Sequence, residues 1–187
     1  LTKNKYLLEG IHNTSFFYFG STFIESLDKI DLQKKSMASL IASNQNKLTG
    51  HKLRHQVVQH IKNNNFNVSV IGRGYMPFEN KEDGLKSYRY SIVIENTSEL
   101  DYFTEKVIDA CLLETIPIYW GAPNISKYFD TRGFIVCENI DQILQAIRTI
   151  SIDDYNSKVE WIMKNKVKAA YHANCFKRAA QVIRSSL

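Results

Sequence analysis

Three polar groupings in this chain combine residue types that hold anions. The densest runs from Glu95-Asn96-Thr97 to Tyr102-Phe103-Thr104-Glu105-Lys106, between a strand pattern and a helix pattern. A strand end followed by a helix start gathers free backbone N–H groups and the positive end of the helix dipole, which together bind phosphate. Lys106 adds a point charge suited to a diphosphate. A carboxylate repels phosphate, so Glu105 is better matched to sugar or ribose hydroxyls. Asn96 offers both donor and acceptor. The same residues also read as a plain helix start, with Thr104 as N-cap and Glu105 and Lys106 solvated.

The second grouping is Arg54, beside the apolar face made by Leu53, Val57 and Ile61. Its guanidinium can grip two phosphate oxygens, although spacing alone favours a surface arginine. The third is Gly72-Arg73-Gly74, where the missing Cβ atoms allow close backbone approach to a ligand. It falls short of a full GxGxxG. His51 and His55 have the i, i+4 spacing of a metal pair. No acidic or third ligand accompanies them, so they and His60 read as surface histidines, and no metal site is expected.

The elements that must position these groups follow from periodicity. Apolar runs predict strands over residues 36–43, 68–71, 90–94, 116–120 and 134–136. Leu53, Val57 and Ile61, spaced by four, predict a helix over 49–63. Further helices are expected over 104–113, 141–150, 155–172 and 175–185. Strands alternating with helices indicate an α/β fold with a doubly wound parallel sheet. Its ligands would bind beyond the carboxyl ends of the strands, where all three groupings fall. Residues 1–35 read as a linker or the remnant of a preceding domain, and 36–187 as one domain.

Composition narrows the classes. The 187 residues are 44% hydrophobic and 12% aromatic, enough to bury a core. No stretch of 18 residues is apolar, so no membrane-spanning helix is expected. The opening Leu1-Thr2-Lys3-Asn4 lacks the regions of a signal peptide and lacks Met, so residues upstream are expected to be missing. The net charge of +5 suits an anionic partner, yet no clustered basic stripe or nucleic-acid motif is present, and no nucleic acid is expected. Lys164, Lys166 and Lys168 on the C-terminal helices form either a peripheral membrane contact or a solvated face. Cys111, Cys137 and Cys175 are far apart without a CxxC, against zinc and a disulfide framework. Four sequons occur, at Asn13, Asn67, Asn96 and Asn124. A glycan on Asn96 would disturb the densest grouping, so a cytoplasmic location is expected, or the Golgi lumen for a eukaryotic fragment.

Read together, Tyr90 to Asn96, Asp101-Tyr102-Phe103-Thr104-Glu105-Lys106 and Ile116-Pro117-Ile118-Tyr119-Trp120-Gly121-Ala122-Pro123 resemble the α1,3/4-fucosyltransferases that use GDP-fucose. That family shows a strand ending in Phe-Glu-Asn, a Tyr-x-Thr-Glu-Lys helix start and a strand closing on Gly-Ala/Ser-Pro. Here Ile94 replaces the usual Phe. Ala38 to Asn44 resembles the family's Phe-x-x-Ser-Asn strand, Arg54 falls at its phosphate-contacting arginine, and Gly72-Arg73-Gly74 also matches. The resemblance spans Ser36 to Ala146.

The resemblance implies the C-terminal, Rossmann-like donor domain of a GT-B fold. Arg54, Lys106 and Asn96 would then hold the GDP diphosphate, and Tyr102 and Glu105 the ribose or sugar. Gly72, Arg73 and Gly74 would give loop contacts. It also implies transfer of fucose to a glycan acceptor hydroxyl with inversion, without metal or other cofactor. The family's base lies in the other domain. Glu9 and Glu25, the only carboxylates in the first 27 residues, have no supporting motif, so no catalytic base is assigned. Two alternatives stand beside this reading: a donor-binding module without turnover, and a transferase of the same fold using another GDP-sugar.

Overall fold

The computed structural model describes residues 14–18 and 20–185, together with Leu8 and Ile11. The opening tetrapeptide, Glu9 and the Asn13 sequon lie outside the described residues.

Five strands form one parallel sheet: β1 (Ser36–Ile41), β2 (Val68–Ile71), β3 (Tyr88–Ile94), β4 (Ile116–Trp120) and β5 (Ile135–Val136). Their spatial order is β2-β1-β3-β4-β5. The helices are α1 (Thr49–Asn63), α2 (Glu105–Leu112), α3 (Ile140–Thr149), α4 (Ile152–Ser157), α5 (Val159–Ala173) and α6 (Cys175–Ser185). Parallel strands covered on both faces must be apolar on both faces, and β4 is buried at every position. Alternate side chains serve opposite layers. Tyr90, Ile92, Ile94, Ile116, Ile118 and Trp120 pack with α1 and α3, whereas Val93 and Tyr119 pack with α2. The sheet is doubly wound, as periodicity predicts.

The chain first steps outward from β1 to β2, then returns past β1 to β3. That reversal puts a crevice beyond the carboxyl ends of β1 and β3, the place where such sheets take ligands.

Local details depart from the sequence reading. β1 stops at Ile41 rather than Ser43: Ala42 N–H still donates to Ile71 O at 2.8 Å, but Ser43 leaves the ladder to line the crevice. β3 starts at Tyr88, before the predicted 90. The single helix expected over 155–172 is two. Ser151 caps α4, its Oγ accepting from Asp154 N–H at 3.0 Å, so the helix starts early. Lys158, at φ −101° and ψ 5°, then separates it from α5. Tyr155 fixes α4 by donating its hydroxyl to Glu114 O at 2.8 Å.

The segment before β1 packs on the α2 side. Ile24 is buried there, and Tyr18 stacks among Phe103, Tyr128 and His172. The buried Arg178 of α6 clasps this strap, donating to Tyr18 O at 3.3 Å, Gly20 O at 2.9 Å and His172 O at 3.1 Å. Of the lysines considered for a membrane face, Lys164 pairs with Glu160 and Lys166 with Glu114, each at 2.6 Å. No helix among the described residues is long and apolar enough to cross a membrane. All three cysteines are free.

Candidate functional site

The crevice opens into a cavity of about 310 Å³. Its floor is Ser91, Ile92, Val93 and Ile94 of β3 with the end of β1, and the loop after β2 covers it through Gly72, Arg73, Phe78, Lys81 and Leu85. Arg54 enters from α1 and Lys106 from α2. Among the described residues four cations therefore line the cavity, and no carboxylate does.

The N-terminus of α1 is pressed onto the end of β3. Gly50 N–H donates to Asn96 O at 3.0 Å, and a Cβ on Gly50 would stand 1.7 Å from Glu95 O. Only glycine permits that approach. One turn later Arg54 is buried, and its Nη2 donates to Asn96 Oδ1 at 2.7 Å. Its Nε is buried with no hydrogen-bond partner, a donor left over in a site of this polarity. Burial lowers the Arg54 pKa, while Glu95 and Glu105 work against that shift. Asn96 also bonds the side chains of His51 and Tyr102. One residue thus ties α1 to the segment leading into α2.

Behind Lys106 lies Glu95, to which the sequence reading gave no role. It is fully buried; its Oε1 accepts from Thr104 N–H at 2.9 Å and its Oε2 from Thr104 Oγ1 at 2.7 Å. Lys106 Nζ stands 3.6 Å from Glu95 Oε2 and 3.2 Å from Glu105 Oε1. Burial raises the Glu95 pKa, and Lys106 opposes it. Burial alone would also raise Glu105, but Lys106 and Lys81 outweigh it and leave that carboxyl below its ordinary value. Gly121 makes room for this arrangement, since a Cβ there would lie 2.5 Å from Tyr119 Oη and 2.6 Å from Glu95 Cγ. Thr104 is indeed the N-cap of α2, accepting from Lys106 N–H at 3.4 Å. Even so, Glu105 and Lys106 are held in a network and are not simply solvated.

Arg54, Lys106, Gly72 and Arg73 thus line one crevice, and Asn96, Tyr102 and Glu105 join them through Arg54–Asn96, Asn96–Tyr102 and Lys106–Glu105 contacts without lining it. Gly74 does neither: it faces open space, with nothing within 4 Å of a Cβ built there, and its positive φ of 91° is what calls for glycine. At Gly72 a Cβ would meet Ala42 O at 2.0 Å. The histidines stay at the surface, His60 exposed and His51 and His55 half-exposed but hydrogen-bonded. His51 Nδ1 accepts from Leu48 N–H at 3.3 Å, and His55 bridges Tyr75 Oη at 3.2 Å and Gln45 O at 2.9 Å. Among the described residues no cluster of three or more His, Cys, Asp or Glu is placed to hold a metal. Lys81 and Gly50 went unassigned in the sequence. Glycine in a first helical turn is the signal that could have flagged Gly50, whereas nothing in the aperiodic loop flags Lys81.

Known proteins resemble this chain in sequence and fold. The chain is 32% identical over 120 residues to an α-(1,3)-fucosyltransferase of Helicobacter pylori, matching 64% of this chain and 25% of that enzyme. A crystal structure of an α1,3-fucosyltransferase with GDP-fucose superposes with a TM-score of 0.56 and 30% identity, over 71% of this chain and 40% of the other. A structure of an α1,3-fucosyltransferase with GDP also gives 0.56, at 25% identity over 80% and 49%. The chain therefore spans a quarter of the Helicobacter enzyme and under half of the solved chains. The model of glycosyltransferase family 10 (fucosyltransferase), C-terminal part, matches residues 32–183, and the chain belongs to that family.

Proposed function

We propose that the chain is the donor-binding part of an inverting fucosyltransferase that moves fucose from GDP-fucose to a hydroxyl of a glycan. The observation that carries this is the cavity at the β1/β3 switch point, lined by Arg54, Arg73, Lys81 and Lys106 without a carboxylate. Such a lining suits a diphosphate and does not suit a neutral sugar alone. Arg54 presents an unpaired buried Nε, and Lys106 stands at the start of α2, where the helix dipole also favours anions. Glu105 and Tyr102, bonded to Lys106 and Asn96, are assigned to the ribose or the sugar.

As the glycosidic bond breaks, negative charge grows on the departing GDP while the sugar becomes cation-like. Fixed cations at the leaving group stabilise that state more than the bound substrate. They act without a metal in this reading. The acceptor must lose a proton to a positioned carboxylate, and the cavity lining offers none. That base is placed in the part of the relatives this chain does not span.

Calorimetric titration with GDP, and separately UDP, in the presence of EDTA tests the reading. GDP binding with UDP silent supports a metal-independent guanine-nucleotide donor site. Silence toward both sinks it. Added acceptor glycans and GDP-fucose then separate transfer from binding alone.

A further inference from the structure

Lys81 heads a 3-10 turn, Lys81–Gly84, in the loop that covers the cavity. The turn is firmly seated. Gly84 O accepts from Ser39 Oγ at 2.7 Å, Leu85 is 2% exposed, and Asn80 N–H donates to Asp83 Oδ2 at 3.1 Å. The backbone of Lys81 is fixed, but its ammonium is held only by one long ion pair and one ring contact. It stands 3.6 Å from Asp109 Oδ2 and 5.2 Å from the centre of the Phe23 ring, and it makes no hydrogen bond among the described residues. Lys86–Asp83 and Lys166–Glu114 close to 2.7 and 2.6 Å, whereas Lys81–Asp109 stays as long as Lys106–Glu95 and, unlike Lys106, Lys81 has no hydrogen bond beside it among the described residues.

Asp109 mirrors this. Its carboxylate is wholly buried. Oδ1 accepts from Thr22 Oγ1 at 2.5 Å and Phe23 N–H at 3.2 Å, while Oδ2 has no hydrogen-bond partner among the described residues. Asp109 acts as a counter-ion that keeps an ammonium charged beside the apolar walls Ile41, Phe78, Leu85 and Val93. The other acid facing Lys81 is Glu105, whose carboxyl feels its charge.

We propose that Lys81 is a further ligand of the donor's diphosphate, held in reserve by Asp109 and released to the phosphate when the cavity fills. This rests on the donor-site reading above. Arg54 is already bonded to Asn96, and Lys106 to Thr104, Glu95 and Glu105. Lys81 is the least committed of the three interior cations. Free GDP carries one more negative charge than the GDP moiety of GDP-fucose, because the bond to the sugar has been replaced by an oxygen anion. A cation recruited by that extra charge assists departure of GDP, an interaction stronger late in the reaction than in the bound substrate.

The test titrates the chain with GDP and with GDP-fucose, alongside thermal melts, for the wild type, Lys81→Ala, Lys81→Arg, Lys106→Ala and the double variant Lys81→Met/Asp109→Asn. The double variant removes the ammonium without leaving Asp109 as an unpaired buried charge. Loss of a charge-assisted contact predicts about tenfold or greater weakening of GDP in Lys81→Ala and in the double variant. GDP-fucose should weaken less, and Lys81→Arg should retain most of the affinity. Wild-type GDP affinity in the double variant, with Lys106→Ala weakened, overturns the Lys81 proposal alone. So does equal weakening of GDP and GDP-fucose that tracks a lowered melting temperature, which marks a purely structural pair. A wild type silent toward GDP overturns this proposal and the donor-site reading together.

Discussion

Replacing Gly50 by alanine separates two physical effects of opposite sign. In an ordinary helix the change stabilises, by roughly 0.4–1 kcal/mol, because alanine has less backbone freedom to lose. At Gly50 the new methyl would lie 1.7 Å from Glu95 O, 2.8 Å from Glu95 C and 3.0 Å from Asn96 C, all backbone atoms of a central strand end. Real contacts stay beyond 3.0 Å, so the start of α1 must move away by more than 1 Å. Overpacking of this kind costs about 1–3 kcal/mol. The move also stretches the 3.0 Å bond from Gly50 N–H to Asn96 O, a loss of about 1 kcal/mol. After subtracting the helix gain, Gly50→Ala should destabilise by roughly 1–4 kcal/mol, a fall in melting temperature of roughly 2–14 °C. Because Arg54 reaches Asn96 from the same helix, GDP binding should weaken too. Differential scanning fluorimetry and GDP titration read both effects. A melting temperature that stays put or rises would refute the claim that this helix is seated on the strand end by glycine.

Other expectations follow from the same geometry. Lys106→Ala should weaken GDP by roughly 10- to 100-fold through loss of a charge-assisted contact, and calorimetry showing unchanged affinity would remove Lys106 from the diphosphate. It should also lower stability, since Glu95 then loses the ammonium 3.6 Å from its Oε2; chemical denaturation measures that separately. Trp120→Ala should cost roughly 3–5 kcal/mol, because the ring is 9% exposed and its Nε1 donates to Glu138 O at 3.1 Å; an unshifted urea midpoint would contradict its core position. Burial raises the Asp109 carboxyl from 3.8 to about 6. The folded state therefore holds this proton more tightly than the unfolded one, so the contribution of Asp109 to stability falls as pH rises from about 4 to about 6, by about 3 kcal/mol. Urea unfolding of wild type and Asp109→Asn across that range should show the difference, and parallel pH curves would count against it.

The central strands were legible because parallel strands buried on both faces are apolar without interruption, as in Ile116–Trp120. α1 was legible because Leu53, Val57 and Ile61 repeat with the helical period. The break at Lys158 was not, since the residues on both sides are acceptable in a helix and Tyr155 is fixed by a distant carbonyl. At the site, Arg54, Asn96, Tyr102, Glu105 and Lys106 could be named individually, yet their joining could not: Arg54 and Asn96 are 42 residues apart and meet only once β3 lies beside β1. Glu95 looked like the end of a strand, and its role as a buried acceptor for Thr104 depends on the space left by Gly121. Gly74 matched a pattern, but the loop turns it outward.

The clasp made by Arg178 bears on how the molecule opens. Helix α6 holds the strap at Tyr18 and Gly20, the strap holds Asp109 through Thr22 and Phe23, and Asp109 faces Lys81 over the cavity. Four of these links are side-chain contacts to a segment that has no strand or long helix among its described residues, so the strap has little local structure to protect it once α6 frays. In hydrogen exchange, residues 20–24 and α6 should then open as one unit, well before the sheet. Nicking the chain between α5 and α6 would be felt at the cavity without touching any residue that lines it.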